Sequence, residues 1–280
     1  MTLAVTTASG QLGRAIIGAL KKLDTGQPLI GLARTPSKAV DLGIEIRPGD
    51  YDDTEQMTAS LAGVESLLVV SSMSPPDERT GQHRNVIAAA KAAGVRKLVF
   101  TSIQGKPDTG FAPILASSLQ TEQDVKDSGM DWAIGRNGIY IEPDIEYIDT
   151  YRKEGEIANC AGDGKCGYTT RAELGRAYAH LLSNDARLGG TYNLNGKAIT
   201  QAELAQYLNT AFGTSLSFRH VEFDVFLKDR TDALGPFFGQ VIAGIYQGIA
   251  LGAVDNPSDF EAVTGTPHQS WDDYFAGLKA

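Results

Sequence analysis

Short apolar runs alternate with amphipathic stretches through the first half of the chain. Leu3–Thr7, Leu29–Ala33, Ile44–Pro48, Leu67–Ser71, Leu98–Thr101 and Trp132–Gly135 lack period-2 polarity, as strands covered on both faces should. Between them, Leu12–Leu23, Glu55–Leu61, Arg79–Ala93 and Ile114–Ser128 carry helical patterns. Six strands alternating with helices predict right-handed crossovers and one parallel, doubly wound sheet, an α/β fold.

After about residue 137 the rhythm changes. Gly155–Gly167 is glycine-rich and turn-like, and Thr170–Leu182 reads as a helix. Thr191–Leu194 is a short strand, and Thr200 caps a helix through Phe212 with Glu203 at the capping-box position. Ser217–Val221 is a further strand, followed by mostly helical sequence. The pattern predicts a sheet domain over 1–137 and a smaller C-terminal α/β lobe over 138–280, interleaved, with a substrate cleft between them.

One uncharged stretch, Ala233–Val254, invites a membrane reading. Its Gln240, Gly244, Gln247, Gly248 and Gly252 form a small or polar stripe opposite Phe238, Val241, Ile242, Ile245 and Ile249, which predicts an amphipathic helix that lines a cavity or packs tightly on a neighbour. The 280 residues carry a formal charge of −9 with no basic stripe, which disfavours nucleic acid and acidic membranes as direct partners. Cys160 and Cys166 are too few for a disulfide framework, and their C-x5-C spacing is not a zinc pattern. His83, His180, His220 and His268 show no metal spacing, and His180 reads as structural. With no signal peptide at the start, the expectation is a cytoplasmic protein with two free thiols.

The chemistry concentrates where the first strand meets the first helix, at Thr7-Ala8-Ser9-Gly10-Gln11-Leu12-Gly13. The G-x-x-G-x-x-G turn of short-chain dehydrogenases occupies such a spot, so the fold expected is of the Rossmann type. Gly10 lets the backbone approach a pyrophosphate, Gly13 lets helix and strand pack closely, and the helix N-terminus supplies N–H groups. Ser9, Gln11 and Leu12 complete the loop. Thr7 replaces the first glycine, and because a β-branched residue resists positive φ, the turn is expected to take another conformation or to bind more weakly. At the end of the second strand stands Arg34, where an acidic residue would bind a ribose 2′-OH. Arginine there suits a 2′-phosphate, with Lys38 assisting, so NADP(H) is the expected cofactor. Asp50 and Tyr51 are expected at the adenine edge, and Ser71 and Ser72 near the ribose and nicotinamide.

None of the ten tyrosines has lysine four residues on, so the Tyr-x-x-x-Lys acid/base pair is missing. The turn at Thr7–Gly13, Gly49–Asp53, Ala93-Gly94-Val95-Arg96-Lys97-Leu98-Val99-Phe100-Thr101-Ser102 and Arg136-Asn137-Gly138-Ile139-Tyr140 resemble the NmrA-like atypical short-chain dehydrogenases. So do Thr170-Arg171-Ala172-Glu173-Leu174, Gly190–Leu194 and Val263–Pro267. The resemblance spans nearly the whole chain and looks closest to the NADPH:quinone oxidoreductase and triphenylmethane reductase branch. It implies an NADPH-dependent reductase passing hydride directly to a quinone-like or other conjugated acceptor. Relatives that bind dinucleotides as redox-sensing regulators make the alternative. That branch has His-x-x-Thr-Glu where this chain reads Ser118-Leu119-Gln120-Thr121-Glu122, so an imidazole acid is replaced by Ser118. By resemblance Asn137 sits beside the nicotinamide, Tyr140 lines the acceptor pocket and Ser102 hydrogen-bonds acceptor or carboxamide. Glu122 reads as solvated or salt-bridged, and the helix Arg79–Ala93 offers a face for a homodimer.

Overall fold

Residues 1–278 are described by the computed structural model. Strands β1 (Leu3–Val5), β2 (Leu29–Ala33), β3 (Glu45–Pro48), β4 (Ser66–Val69), β5 (Lys97–Ile103) and β6 (Asp131–Asn137) alternate with helices. These are α1 (Gln11–Leu23), α2 (Thr54–Ser60), α3 (Pro76–Ala92) and α4 (Ala112–Lys126), with a 3-10 turn over Pro36–Leu42. Beyond them come β7 (Ile139–Tyr140), α5 (Glu142–Glu146), α6 (Ile148–Glu154), β8 (Glu156–Asn159), β9 (Lys165–Cys166) and β10 (Tyr168–Thr169). Next are α7 (Arg171–Ser183), β11 (Thr191–Leu194), β12 (Ile199–Thr200), α8 (Gln201–Phe212) and β13 (Ser217–His220). The chain continues through α9 (Phe223–Leu234), α10 (Pro236–Ala250), α11 (Phe260–Thr264) and α12 (Trp271–Gly277).

The large sheet has seven strands in the order β11-β6-β5-β4-β1-β2-β3, and every pairing within it is parallel. The strand order reverses between β1 and β4, and ligands of doubly wound sheets bind outside the carboxyl ends at such a point. Both faces are covered, which explains the absent alternation. Leu3 and Val5 pack with α1 and α7, while Ala4 between them packs with Met57, Val86 and Ala90. Each fully buried Leu or Ile contributes about 1.5–3 kcal/mol. The contact between α1 and α7 is close enough that a Cβ on Gly175 would lie 2.6 Å from the Ala15 carbonyl oxygen.

Two details depart from the sequence-based expectation, and a third refines it. Thr191–Leu194 is not a strand of the smaller lobe: it pairs in parallel with β6 as the seventh strand of the large sheet. The glycine-rich segment Gly155–Gly167 is more than turns, since Glu156–Asn159 pairs with Ser217–His220 across 61 residues. Pairing with a distant strand overrides local turn propensity there. The uncharged stretch is divided by Gly235 at φ +82°, and it buries the small face. A Cβ on Gly244 would meet the Gly110 carbonyl carbon at 2.4 Å, whereas Phe238 is exposed. Among the described residues no helix is long and apolar enough to cross a membrane. The capping box of Thr200 and Glu203 is present, and both cysteines are buried and free.

Candidate functional site

β1 ends in a turn whose shape is set by Thr7 at φ +48°, so the expectation of another conformation is overturned. Hydrogen bonds hold it there: Gly10 N–H donates to Thr7 O (2.8 Å), Ala8 N–H to Leu32 O (2.9 Å) and Thr6 N–H to Leu68 O (3.0 Å). Left-handed backbone costs a threonine about 1–3 kcal/mol, sustained by these surrounding bonds. A Cβ on Gly13 would stand 2.4 Å from Thr7 O, so only glycine lets α1 start this close to the strand. Gly10 caps α1 without a side chain, and no acidic residue lies in the first turn. The N–H groups of Gln11, Leu12 and Gly13 therefore point out of the helix without an acceptor among the described residues. Gly10 and Gln11 are exposed, with Ser9 and Leu12 half-buried beside them. Open donors at a helix N-terminus, with no carboxylate competing, fit a pyrophosphate.

Arg34 and Lys38 are exposed, and neither side chain has a partner among the described residues. Arg14, which no motif marks, braces the loop: its guanidinium donates to Ser9 O at 3.2 Å and to Asp41 at 2.6 Å. Asp50 is half-buried and accepts from Asp52 N–H. The Tyr51 side chain turns into the core instead, its hydroxyl 2.5 Å from Thr6 Oγ1 and donating to Val70 O at 2.7 Å. Burial pushes that phenol up from its ordinary value. Asp50 and Tyr51 are thus separated, one at the surface and one beneath the sheet edge.

At the carboxyl ends of β4 and β5 the polar groups bind one another. Ser71 N–H donates to Thr101 Oγ1 at 2.9 Å and its hydroxyl to Thr101 O. Ser72 N–H donates to Nε2 of the buried His83 (2.9 Å), whose Nδ1 lies 2.9 Å from Thr121 Oγ1. Burial, with Arg79 nearby, pushes His83 down to about 3, so the ring is neutral and carries its proton on Nδ1. Ser102, fully buried, donates to Glu122 Oε1 at 2.6 Å. Glu122 is salt-bridged as expected but not solvated: it is buried and takes two bonds from Arg136, at 2.8 and 2.7 Å. Ser118 is fully buried too, donating to Ile114 O and accepting from Arg79 Nη2 at 3.2 Å.

Asn137 closes β6. Its Oδ1 lies 2.6 Å from the Tyr178 hydroxyl, which also reaches Gly135 O at 2.9 Å. A Cβ on Gly135 would collide with that hydroxyl at 2.5 Å, so the glycine makes room for Tyr178. With Oδ1 engaged, the amide presents Nδ2 toward the Tyr140 hydroxyl, 3.4 Å away. Burial pushes Tyr140 up to about 12, leaving it a protonated donor, with the Arg171 guanidinium 5.3 Å from its ring centre. The side chain of Asn137 thus meets Tyr140, while Ser102 and Ser118 are held in separate buried contacts. Tyr178 and His83 orient these groups from 41 and 11 residues away, and no local motif marks either role. A cavity of about 540 Å³ lies beyond β11, lined by Asn195, Asp255, Glu261 and His268 among others, and shares no residue with the glycine turn.

A family model described as NAD(P)H-binding matches residues 7–185, from the turn through α7. The chain belongs to this NAD(P)H-binding family. It is 36% identical over 223 residues to quinone oxidoreductase 2 of Escherichia coli, covering 78% of this chain and 77% of that protein. The structure of the NADPH complex of that species' quinone oxidoreductase QOR2 superposes with a TM-score of 0.91 at 30% identity, over the whole of both chains. The NADP(H) complex of Citrobacter sp. triphenylmethane reductase gives 0.90 at 29% identity, covering 99% of this chain and all of that one. The resemblance to the NmrA-like quinone oxidoreductase and triphenylmethane reductase branch is borne out, and so is the Rossmann-like fold.

Proposed function

We propose that the chain is an NADPH-dependent oxidoreductase acting on a quinone-like or other conjugated aromatic acceptor, without a tyrosine/lysine pair. The observation that carries this reading is the uncapped start of α1 over Gly10, facing open solvent, with Arg34 and Lys38 free beside it. Gln11, Leu12 and Gly13 offer backbone donors to the pyrophosphate, and Arg34 with Lys38 offers cationic donors to a 2′-phosphate. When bound, the reduced dinucleotide supplies a hydride: the acceptor gains two electrons and one proton, and a second proton comes from water. The chain's own task is positioning. Ser71 and Ser72 are held at the nicotinamide end by Thr101 and His83. Asn137 is turned by Tyr178 so that Nδ2 faces the reaction space, and Tyr140 supplies a protonated phenol as wall and donor. Ser102 acts through Glu122 and Arg136, and Ser118 through Arg79. The same chemistry supports small-molecule acceptors as partners.

Titration with NADPH and NADH tests the cofactor. Charge-assisted bonds to a phosphate contribute about 1.5–3 kcal/mol, so Arg34→Ala should weaken NADPH roughly 10–100-fold and leave NADH unchanged. Equal affinity for both cofactors in the wild type and the variant would overturn the NADPH preference. Steady-state NADPH oxidation against quinones and dyes tests turnover. Tight NADPH binding with no turnover on any acceptor would favour the redox-sensing regulator instead.

A further inference from the structure

Arg79 is a buried cation with little to hold it. It is 5% exposed, its Nη2 donates to Ser118 Oγ at 3.2 Å, and its buried Nε meets no acceptor among the described residues. Arg136 and Arg176, also inward-leaning, each have a glutamate at 2.7 and 2.6 Å. Arg79 pairs with no carboxylate among the described residues, and a neutral serine hydroxyl does not balance its charge. Burial draws the guanidinium down to about 10, which leaves it charged at neutral pH. An unpaired buried charge is costly, and packing alone would be served as well by an apolar side chain.

Its position suggests the reason. α4 runs antiparallel to β5, and Ser118 lies one turn, about 5.4 Å, before Glu122. Glu122 is itself bound by Ser102 near the end of β5. Ser118 and the guanidinium it holds therefore lie beyond Ser102, toward the carboxyl edge of the sheet. From the other side, Arg79 stands in the first turn of α3, reached from β4 through Ser71 and Ser72. One turn further along α3, His83 grips Ser72. The cation is thus bracketed by the carboxyl ends of β4 and β5, on the edge that also carries Asn137 and the glycine turn.

We infer that Arg79, steadied by Ser118, is the site for the acceptor's carbonyl oxygen and for the negative charge that oxygen gains on reduction. The inference rests on the reductase reading above. A quinone that takes a hydride becomes a hydroquinone monoanion, and water then supplies the remaining proton, while Arg79 keeps all of its own. The guanidinium meets more charge after transfer begins than before, which is the condition for accelerating the step rather than merely binding substrate. It also sorts acceptors. Quinones, which become oxyanions, are favoured, and cationic triphenylmethane dyes are repelled.

The test uses the wild type, Arg79→Met, which matches length without charge, and Arg79→Lys, which keeps the charge. Three readouts are taken: NADPH affinity, the ratio of kcat/KM for menadione to that for crystal violet, and the absorption of 4-nitrophenol bound to the NADP+-loaded protein. Expected are unchanged NADPH affinity, a ratio at least tenfold lower in Arg79→Met, and partial recovery in Arg79→Lys. Wild type should bind 4-nitrophenol as the phenolate, shown by its visible band, and Arg79→Met should bind it neutral or at least tenfold more weakly. An unchanged ratio, or nitrophenol bound neutral by the wild type, overturns the inference. If Arg79→Met does not fold, the wild-type band and Arg79→Lys decide. A wild type that reduces neither acceptor defeats the reductase reading, and the nitrophenol band still decides the role of Arg79.

Discussion

The two ends of the carboxyl edge are built on different principles. At the glycine turn, proposed as the nucleotide end, the groups are backbone N–H donors of consecutive residues, left open by Gly10 and brought close by Gly13. At the other end, proposed as the reducing end, the groups are side chains on β5, β6, α3, α4 and α7 and on the loop after β4, and nearly every one is already hydrogen-bonded to another. The first end is assembled by one short loop and is tuned by conformation. The second is assembled by the whole sheet and is tuned by orientation. An open donor set waits for a ligand to satisfy it, whereas a closed network fixes where its few free atoms point.

The sharpest break of that contrast is Gly13→Val. Its Cβ has backbone, not a movable side chain, at 2.4 Å, so the loop must shift. Overpacking of this kind costs about 1–3 kcal/mol, and the variant should lose NADPH affinity by roughly 100-fold with a lower Tm. Isothermal titration and thermal melts check it; retained affinity would show that the close start of α1 is not needed.

Tyr178→Phe attacks the other end. Leaving Asn137 Oδ1 and Gly135 O without the phenol costs about 1–3 kcal/mol of stability. We expect kcat to fall about tenfold as the amide loses its orientation, a fall equivalent to ~1.4 kcal/mol, with NADPH affinity unchanged. A parallel loss of affinity would mean that the two ends are not separable.

The reducing end should also be the acid-sensitive one. His83 is neutral in the fold at about 3, against an ordinary 6.5, so the unfolded chain binds its proton first as pH falls. Its contribution is complete above about pH 6.5 and is lost toward pH 3, at up to about 1.4 kcal/mol per unit. Arg79 and Asp124 face the ring with opposite effects, and Asp144, pushed up by burial to about 6, adds a slope of opposite sign in the smaller lobe. Comparing denaturant midpoints of wild type and His83→Gln across this range isolates the histidine. Parallel curves would refute a buried neutral ring.

The smallest expected change sharpens the nucleotide end. Thr7→Gly relieves left-handed strain but adds freedom to the unfolded chain, so the net should stay within about 1 kcal/mol. NADPH affinity should move less than about twofold. A tenfold loss would show that the threonine side chain itself meets the nucleotide.

The sequence by itself determined the parallel sheet, the place of the glycine turn, the cation after β2 and the membership of a reductase branch. These are properties of neighbouring residues: apolar runs long enough for strands, glycines where backbone must crowd backbone, a helix that opens without a cap. It also placed Thr7 correctly on the turn while misjudging its conformation, because local preference was outweighed by one hydrogen bond within the turn and two to adjacent strands. Only the tertiary structure decided that Thr191–Leu194 completes the large sheet, that Tyr51 turns inward, and that Glu122 is buried against Arg136 and Ser102. The roles of His83, Tyr178 and Arg79 belong to the same class. Each depends on a partner 11 to 41 residues away, and the burial that neutralises one ring and strands one guanidinium is a property of packing, which no local pattern of residues encodes.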